Sequence, residues 1–164
     1  MDKEYSIKID EIFDKKKKKD EEIANIRQEN ERKKNQKLEM FCKKRDELYE
    51  PLFQEFARKI KENGIDCEIK KQDERDLGNG AYQSPSIALY ILIGKDNQYR
   101  DLSNYPHFQI YSHLHEDKIS FHKSTFAPNR GGMSGFDGSY DIEDINSDLL
   151  SEKIVKLLGE CLNG

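Results

Sequence analysis

Glycine and proline are nearly missing from the first third of this chain: between residues 2 and 63 there is no glycine and one proline, Pro51. These are the residues that most readily interrupt a helix. Glu, Lys, Arg and Gln, good helix formers, dominate instead. Cysteine is scarce and scattered. Cys42, Cys67 and Cys161 are odd in number and form no CxxC pair, which argues against a disulfide framework and for a reducing, cytoplasmic setting. No stretch approaches the ~20 apolar residues of a membrane-spanning helix, and the charged N-terminus lacks the apolar core of a secretion signal, so no membrane partner is expected. Uncompensated basic charge is missing too. Residues 1–63 carry 18 Lys/Arg against 16 Asp/Glu, net +2, and residues 64–164 carry 10 against 16, net −6. A strong duplex binder needs a basic stripe that releases counterions.

What the chain has in excess is charged residues, 37% against 35% hydrophobic over 164 residues, a poor ratio for one compact globule. The imbalance is local. From Asp14 to Lys37 only Ile23, Ala24 and Ile26 are apolar, whereas normal apolar clusters follow Leu48. The pattern predicts an extended helical arm over 1–45 and an α+β domain over 46–164.

Along the arm, Glu11/Lys15, Asp14/Lys18, Glu29/Lys33 and Glu39/Lys43 place an acid four residues before a base, the favourable order on a helix surface. Tyr5, Ile9, Ile12, Ile23 and Ile26 share a heptad-like seam, which Lys16, Lys19, Asn30, Lys33 and Lys37 interrupt. Leu38, Phe41, Leu48 and Leu52 follow a stripe shifted by one position. A tight coiled coil keeps apolar a and d positions over three or four consecutive heptads. This seam suits either a solvated helix or a weak coiled coil that forms with a partner. Five lysines, Lys15, Lys16, Lys17, Lys18 and Lys19, suggest nucleic-acid contact. On a helix they point around the whole circumference, between Asp14 and the acids Asp20, Glu21 and Glu22, which equally suits a solvated segment.

Pro51 fits a first helical turn, so the arm is expected to kink or restart near Glu50. Leu48, Tyr49, Leu52, Phe53, Phe56, Ala57 and Ile60 then form an apolar face, and Asn63-Gly64 ends the helix. "IDCEIKKQ" alternates as a half-wet strand, and "SIALYILIG" is an apolar run of strand length. "DERDLGNGAYQSP", "KDNQYRDLSNYP" and the Gly-rich "PNRGGMSGFDG" read as loops, and "SYDI" as a short strand. A helix from about Ser147 to Leu162 closes the chain, capped by Asn146 or Ser147. Helix, four or five strands, helix, without crossover helices, gives an α+β two-layer sandwich. The sheet is mostly antiparallel and both helices cover one face.

All four histidines lie between His107 and His122. A tight hairpin at Glu116-Asp117 pairs His115 with Lys118, His113 with Ser120 and Tyr111 with His122. Phe108, Ile110, Leu114, Ile119 and Phe121 then face the core, and every histidine faces away from it, with Gln109, Tyr111, Lys118, Ser120 and Ser124. His113 and His122 become diagonal neighbours, close enough to share a metal, but no third ligand is evident and His107 lies too far up the strand. Tyr90 and Leu92 join this outer face, apolar enough that a partner, a second subunit or the arm is expected to cover them.

The remaining motifs are thin. Glu68-Ile69-Lys70 has the E-x-K spacing of metal-dependent nucleases without a convincing upstream aspartate. The glycine-rich stretch lacks the Lys-Ser/Thr of a phosphate loop, and the acids after Asp137 do not match a calcium loop. Cys42 stands among lysines that would lower its thiol pKa. The sequence therefore predicts a non-enzymatic cytoplasmic interaction protein without cofactor or metal, partnered by another protein or by itself. Candidate contact residues are Tyr90, Tyr111, His113, His115, Lys118, His122 and Arg130. Nucleic acid held by Lys15–Lys19 and the sheet face is the alternative, and a metal-dependent hydrolase the second.

Overall fold

The computed structural model describes residues 2–95 and 98–163. The chain divides between Lys37 and Leu38 into two compact units. Helix α1 (Lys3–Lys44) supplies all of the described part of the first unit but Asp2 and opens the second.

The second unit is an α+β two-layer domain. A π-helical turn (Arg45–Tyr49) leads into α2 (Glu50–Glu62); the strands follow, and α3 (Ser147–Asn163) ends the fold. Strands β1 (Cys67–Gln72), β4 (Ser86–Ile91), β5 (His107–Ser112), β6 (Ile119–Ser124) and β7 (Ser134–Tyr140) form one antiparallel sheet in that spatial order. Strands β2 (Arg75–Gly78) and β3 (Ala81–Gln83) form a separate hairpin.

Pro51 does not break the helix. It has no N–H for an i→i−4 bond and its ring crowds the carbonyl four residues back. The chain widens into a π turn just before it, where the Glu50 N–H bonds to the Arg45 carbonyl. That turn also sets the buried face. Phe41, Arg45, Tyr49, Phe53 and Ala57 are all buried at a spacing of four. On an α-helix each such step overshoots a full turn by about 40°, and the wider turn takes up part of the drift. The helix then ends at Asn63-Gly64, where Gly64, at φ 87°, donates its N–H to the Lys61 carbonyl, as a glycine after the last turn does.

Side chains alternate across each strand. Ile87, Leu89, Ile91, Phe108, Ile110, Ile119 and Phe121 point to the helices and are at most 1% exposed. Against them pack Phe53, Ala57 and Ile60 of α2 and Leu150, Ile154, Leu157 and Cys161 of α3. Phe53, Phe108, Phe121 and Tyr140 form a chain of ring contacts at 6.1, 5.1 and 4.7 Å. Asn146 caps α3, its side-chain oxygen accepting from the Leu149 N–H at 2.9 Å.

Three elements differ from expectation. The end of the glycine-rich stretch, from Ser134 to Gly138, belongs to strand β7, and Ile142–Asp144 is a 3-10 turn. The polar segment after Gln72 is the β2–β3 hairpin, turning through Asn79 and Gly80, both at positive φ. The expected loop over 95–106 includes positions 96 and 97, which lie outside the described residues; its described part holds a 3-10 turn, Leu102–Asn104.

Two buried polar groups on the helical layer contrast. The Arg45 side chain, 4% exposed, donates to Asp46 Oδ1, the Gln72 carbonyl and Asp73 Oδ1 at 2.8–2.9 Å, tying the π turn to the end of β1. The Tyr49 hydroxyl is buried without a hydrogen-bond partner among the described residues. Arg45→Met is expected to cost about 2–4 kcal/mol, because the Gln72 carbonyl loses its donor. Tyr49→Phe is expected to leave stability unchanged or raise it by up to about 1 kcal/mol, since it removes an unsatisfied group. Urea unfolding of both variants checks the contrast.

Candidate interaction surface

The outer face of the sheet is made by the residues that alternation withholds from the core. They are Glu68, Lys70 and Gln72 on β1, Ser86, Ala88 and Tyr90 on β4, and His107, Gln109 and Tyr111 on β5. Ser120, His122 and Ser124 follow on β6, with Ser134 and Phe136 on β7.

The β5–β6 register differs from the sequence reading by two residues. Tyr111 pairs with Ser120 and Gln109 with His122, leaving a six-residue loop, 113–118. Glu116-Asp117 lacks the glycine or asparagine of a two-residue turn, so the loop widens. A shift of two preserves which face each strand residue occupies, but it changes the neighbours. His107, not His113, becomes the diagonal neighbour of His122, and their rings stack at 5.4 Å with planes 23° apart. His113 and His115 stand exposed in the loop, 6.1 Å apart, with exposed Lys118.

Nor is this face uniformly wet. His107 is 7% exposed, and Ser120 and Ser124 are 2% and 1% exposed. His107 lies between Tyr90, at 4.8 Å, and His122, and its Nδ1–H donates to the Tyr105 carbonyl at 2.9 Å. His122 Nε2 meets Ser134 Oγ at 3.2 Å, while its buried Nδ1 has no partner among the described residues. Burial lowers the pKa of both imidazoles; in His107 the Tyr105 carbonyl opposes this and His122 adds to it. Two neutral rings therefore occupy the centre of the face at pH 7.

Two clefts flank that centre. One, of about 470 Å³, is lined by Gln72, Leu77, Gln83, Ser84, Ser86, Gln109, Tyr111 and His122. No lining residue is charged, in a chain where 37% of residues are. The other, of about 360 Å³, is lined by Glu68, Leu92, Lys95, Tyr99, Arg100, Leu102 and Tyr105. What shields half-buried Leu92 thus includes the chain's own β4–β5 connection, while half-buried Tyr90 packs on the His107 ring. Both walls read as loops in the sequence; the signals that could have located them are Gly78-Asn79-Gly80, a hairpin turn, and the apolar set Tyr99, Leu102 and Tyr105 in a segment otherwise polar.

The other sequence candidates find structural partners. Arg130 ends a turn in which its N–H bonds to the Ala127 carbonyl, and its Nη1 donates to the Cys161 carbonyl at 2.7 Å, near the end of α3. Lys70 pairs with Glu68 at 2.9 Å and Lys95 with Asp66 at 3.6 Å, which occupies the E-x-K residues with each other. Cys42 is a correction: burial raises its pKa, followed by Asp73, Asp46 and Glu74, against the lowering by Arg45. Burial pushes Cys67 and Cys161 up to about 11. Lys15–Lys19 are exposed on α1. Among the described residues no group of three or more His, Cys, Asp or Glu is placed to hold a metal ion, and no helix is long and apolar enough to cross a membrane.

No protein-family model, curated protein or solved structure matches this chain. The surface offers a neutral, hydrogen-bonding cleft beside an aromatic row, with Phe136 68% exposed on the same face.

The histidine pair makes stability depend on pH. Imidazoles of the unfolded chain titrate near 6.5, and the folded values lie lower. Below about pH 6.5 the unfolded state takes up protons first, so stability present above that pH falls as pH drops through the folded values. The urea midpoint is expected to fall between about pH 7.5 and pH 5, and His122→Gln to reduce that fall. An equal fall in the variant would place its origin in other groups.

Proposed function

We propose that this chain is a non-enzymatic cytoplasmic interaction protein. The compact domain docks a protein partner on the outer face of its sheet, and the helical arm serves association. The observation that carries this reading is the uncharged cleft between the β2–β3 hairpin and the sheet. Interface cores are depleted of charge and enriched in aromatics. Here Gln72, Gln83 and Gln109 offer carboxamides, Ser84 and Tyr111 hydroxyls, and Leu77 an apolar edge that is 54% exposed. Amide and hydroxyl groups of this kind match the backbone groups of a protein segment, and Phe136 supplies an anchor of the type that dominates binding energy. Three free, scattered cysteines fit a reducing compartment.

The test is affinity capture from the native host with the full chain and with Leu77→Asp/Gln109→Lys. Both substitutions bring charge into the cleft at positions outside the buried core. One protein should be retained reproducibly by the wild type and at least about tenfold less by the variant, because an unpaired charge in a desolvated interface costs more than 1.4 kcal/mol. Retention that the variant leaves unchanged, or no reproducible partner, overturns the docking surface.

A further inference from the structure

The first unit leaves its apolar side chains in solvent: Tyr5, Ile12, Phe13 and Ile26 are each more than 60% exposed. Its own ion pairs, Lys8–Glu4, Arg32–Glu29 and Lys16–Asp20, lie on the surface, where such pairs contribute little. The order of its charges is more informative than their sum. Residues 2–14 carry five acids and two bases, net −3; residues 15–19 are five lysines, +5. Residues 20–24 carry three acids, −3, and residues 25–37 five bases and two acids, net +3.

We infer that the arm binds a second copy of itself as an antiparallel helix pair centred between Lys19 and Asp20. The inference rests on the reading of the arm as the association element, and names its partner. Antiparallel pairing about that centre sets 2–14 against 25–37 and 15–19 against 20–24. Each block, of −3 or +5, then meets one of opposite sign, +3 or −3. A parallel pair in register sets every block against itself, with the five lysines of one copy against those of the other. Paired helices lie 8–10 Å apart, about one Debye length at 0.1 M salt, so block charges on the two copies interact before salt screens them. The seam agrees at one level. Ile12 of one copy lies within one residue, about 1.5 Å, of level with Ile26 of the other, once at each side of the centre. Around Ile23 the facing position is Lys16, whose methylene stem can cover apolar surface while its ammonium stays in water. The breaks in the seam that weaken a parallel coiled coil thus become the charged layers that set orientation, as polar positions do in coiled coils.

The test uses the full-length chain. Sedimentation equilibrium at about 0.1 M salt should show a dimer that weakens as salt rises. Replacing Lys15–Lys19 by Glu, or separately Asp20, Glu21 and Glu22 by Lys, should weaken dimerisation at least about tenfold. Making both replacements together should restore it to within about threefold. Circular dichroism should show unchanged helix content in all three. In a Cys42→Ser background, chains carrying Tyr5→Cys should form disulfides with chains carrying Lys34→Cys in a mixture, and not with each other. A monomer at about 100 µM, reversals without effect, or Tyr5→Cys chains that cross-link among themselves would overturn the inference. A monomer that still captured its partner through the cleft would remove the arm pairing alone and leave the docking surface standing.

Discussion

Each strand gives a residue only two directions, and in the five-stranded sheet one of them is taken by the helices. Ile87, Leu89, Phe108, Ile110 and Phe121 fill that side together with Phe53, Leu150, Ile154 and Leu157. Once these residues are committed, their neighbours in sequence have nowhere to go but the other face. The serines, glutamines, tyrosines and histidines collected there are a consequence of the core. A change of register by one residue would expose the core set, whereas a change by two leaves both faces intact. The β5–β6 pair shows that tolerance: its register departs by two from a tight hairpin and every strand side chain keeps its side.

The same constraint explains what the sequence made legible and what it hid. The α+β class, the helix order and the core residues follow from periods of 3.6 and 2.0 that run unbroken through α2, β4, β5, β6 and α3. The cap of α3 was readable from residue type to one of two neighbours, Asn146 or Ser147, and Asn146 makes the bond. The surroundings of the histidines were not. Which imidazole meets His122 depends on the length of the 113–118 loop, and pleat alternation says nothing about loop length. That His107 is buried depends on the contacts of Tyr90, Tyr105 and His122; the pattern showed that Tyr90 and His122 face outward, but not that they meet His107. The cleft was hidden more deeply. Its lining comes from four strands and the β2–β3 hairpin, and the hairpin is short, polar and interrupted by glycine.

Around Pro51 a local conflict is resolved without loss of helix. A proline inside a helix removes one hydrogen bond and displaces a carbonyl. The π turn accommodates both and brings Arg45 and Tyr49 onto the buried side with Phe41 and Phe53. Arg45 then reaches the Gln72 carbonyl, at the residue where β1 gives way to the hairpin that walls the cleft. A helix irregularity thus anchors, through one guanidinium, the strand end from which the outer wall departs. Mid-helix π turns are frequent at functional sites, and here the connection to the surface is a traceable hydrogen bond.

Composition alone would describe both units as charged, yet they use charge in opposite ways. In the compact domain, charged side chains are kept out of one cleft, and His122, an imidazole whose pKa burial lowers, borders it. In the arm, charge is gathered into blocks of one net sign separated by blocks of the other. A cleft without charge discriminates by shape and hydrogen bonding, because any ion entering it would lose its hydration without a counter-ion. A helix patterned in blocks discriminates by alignment, because only one direction of pairing sets opposite signs together. Neither property depends on the net charge of −4. Both depend on where each charge sits, so substitutions that keep the total and move the positions should be the damaging ones.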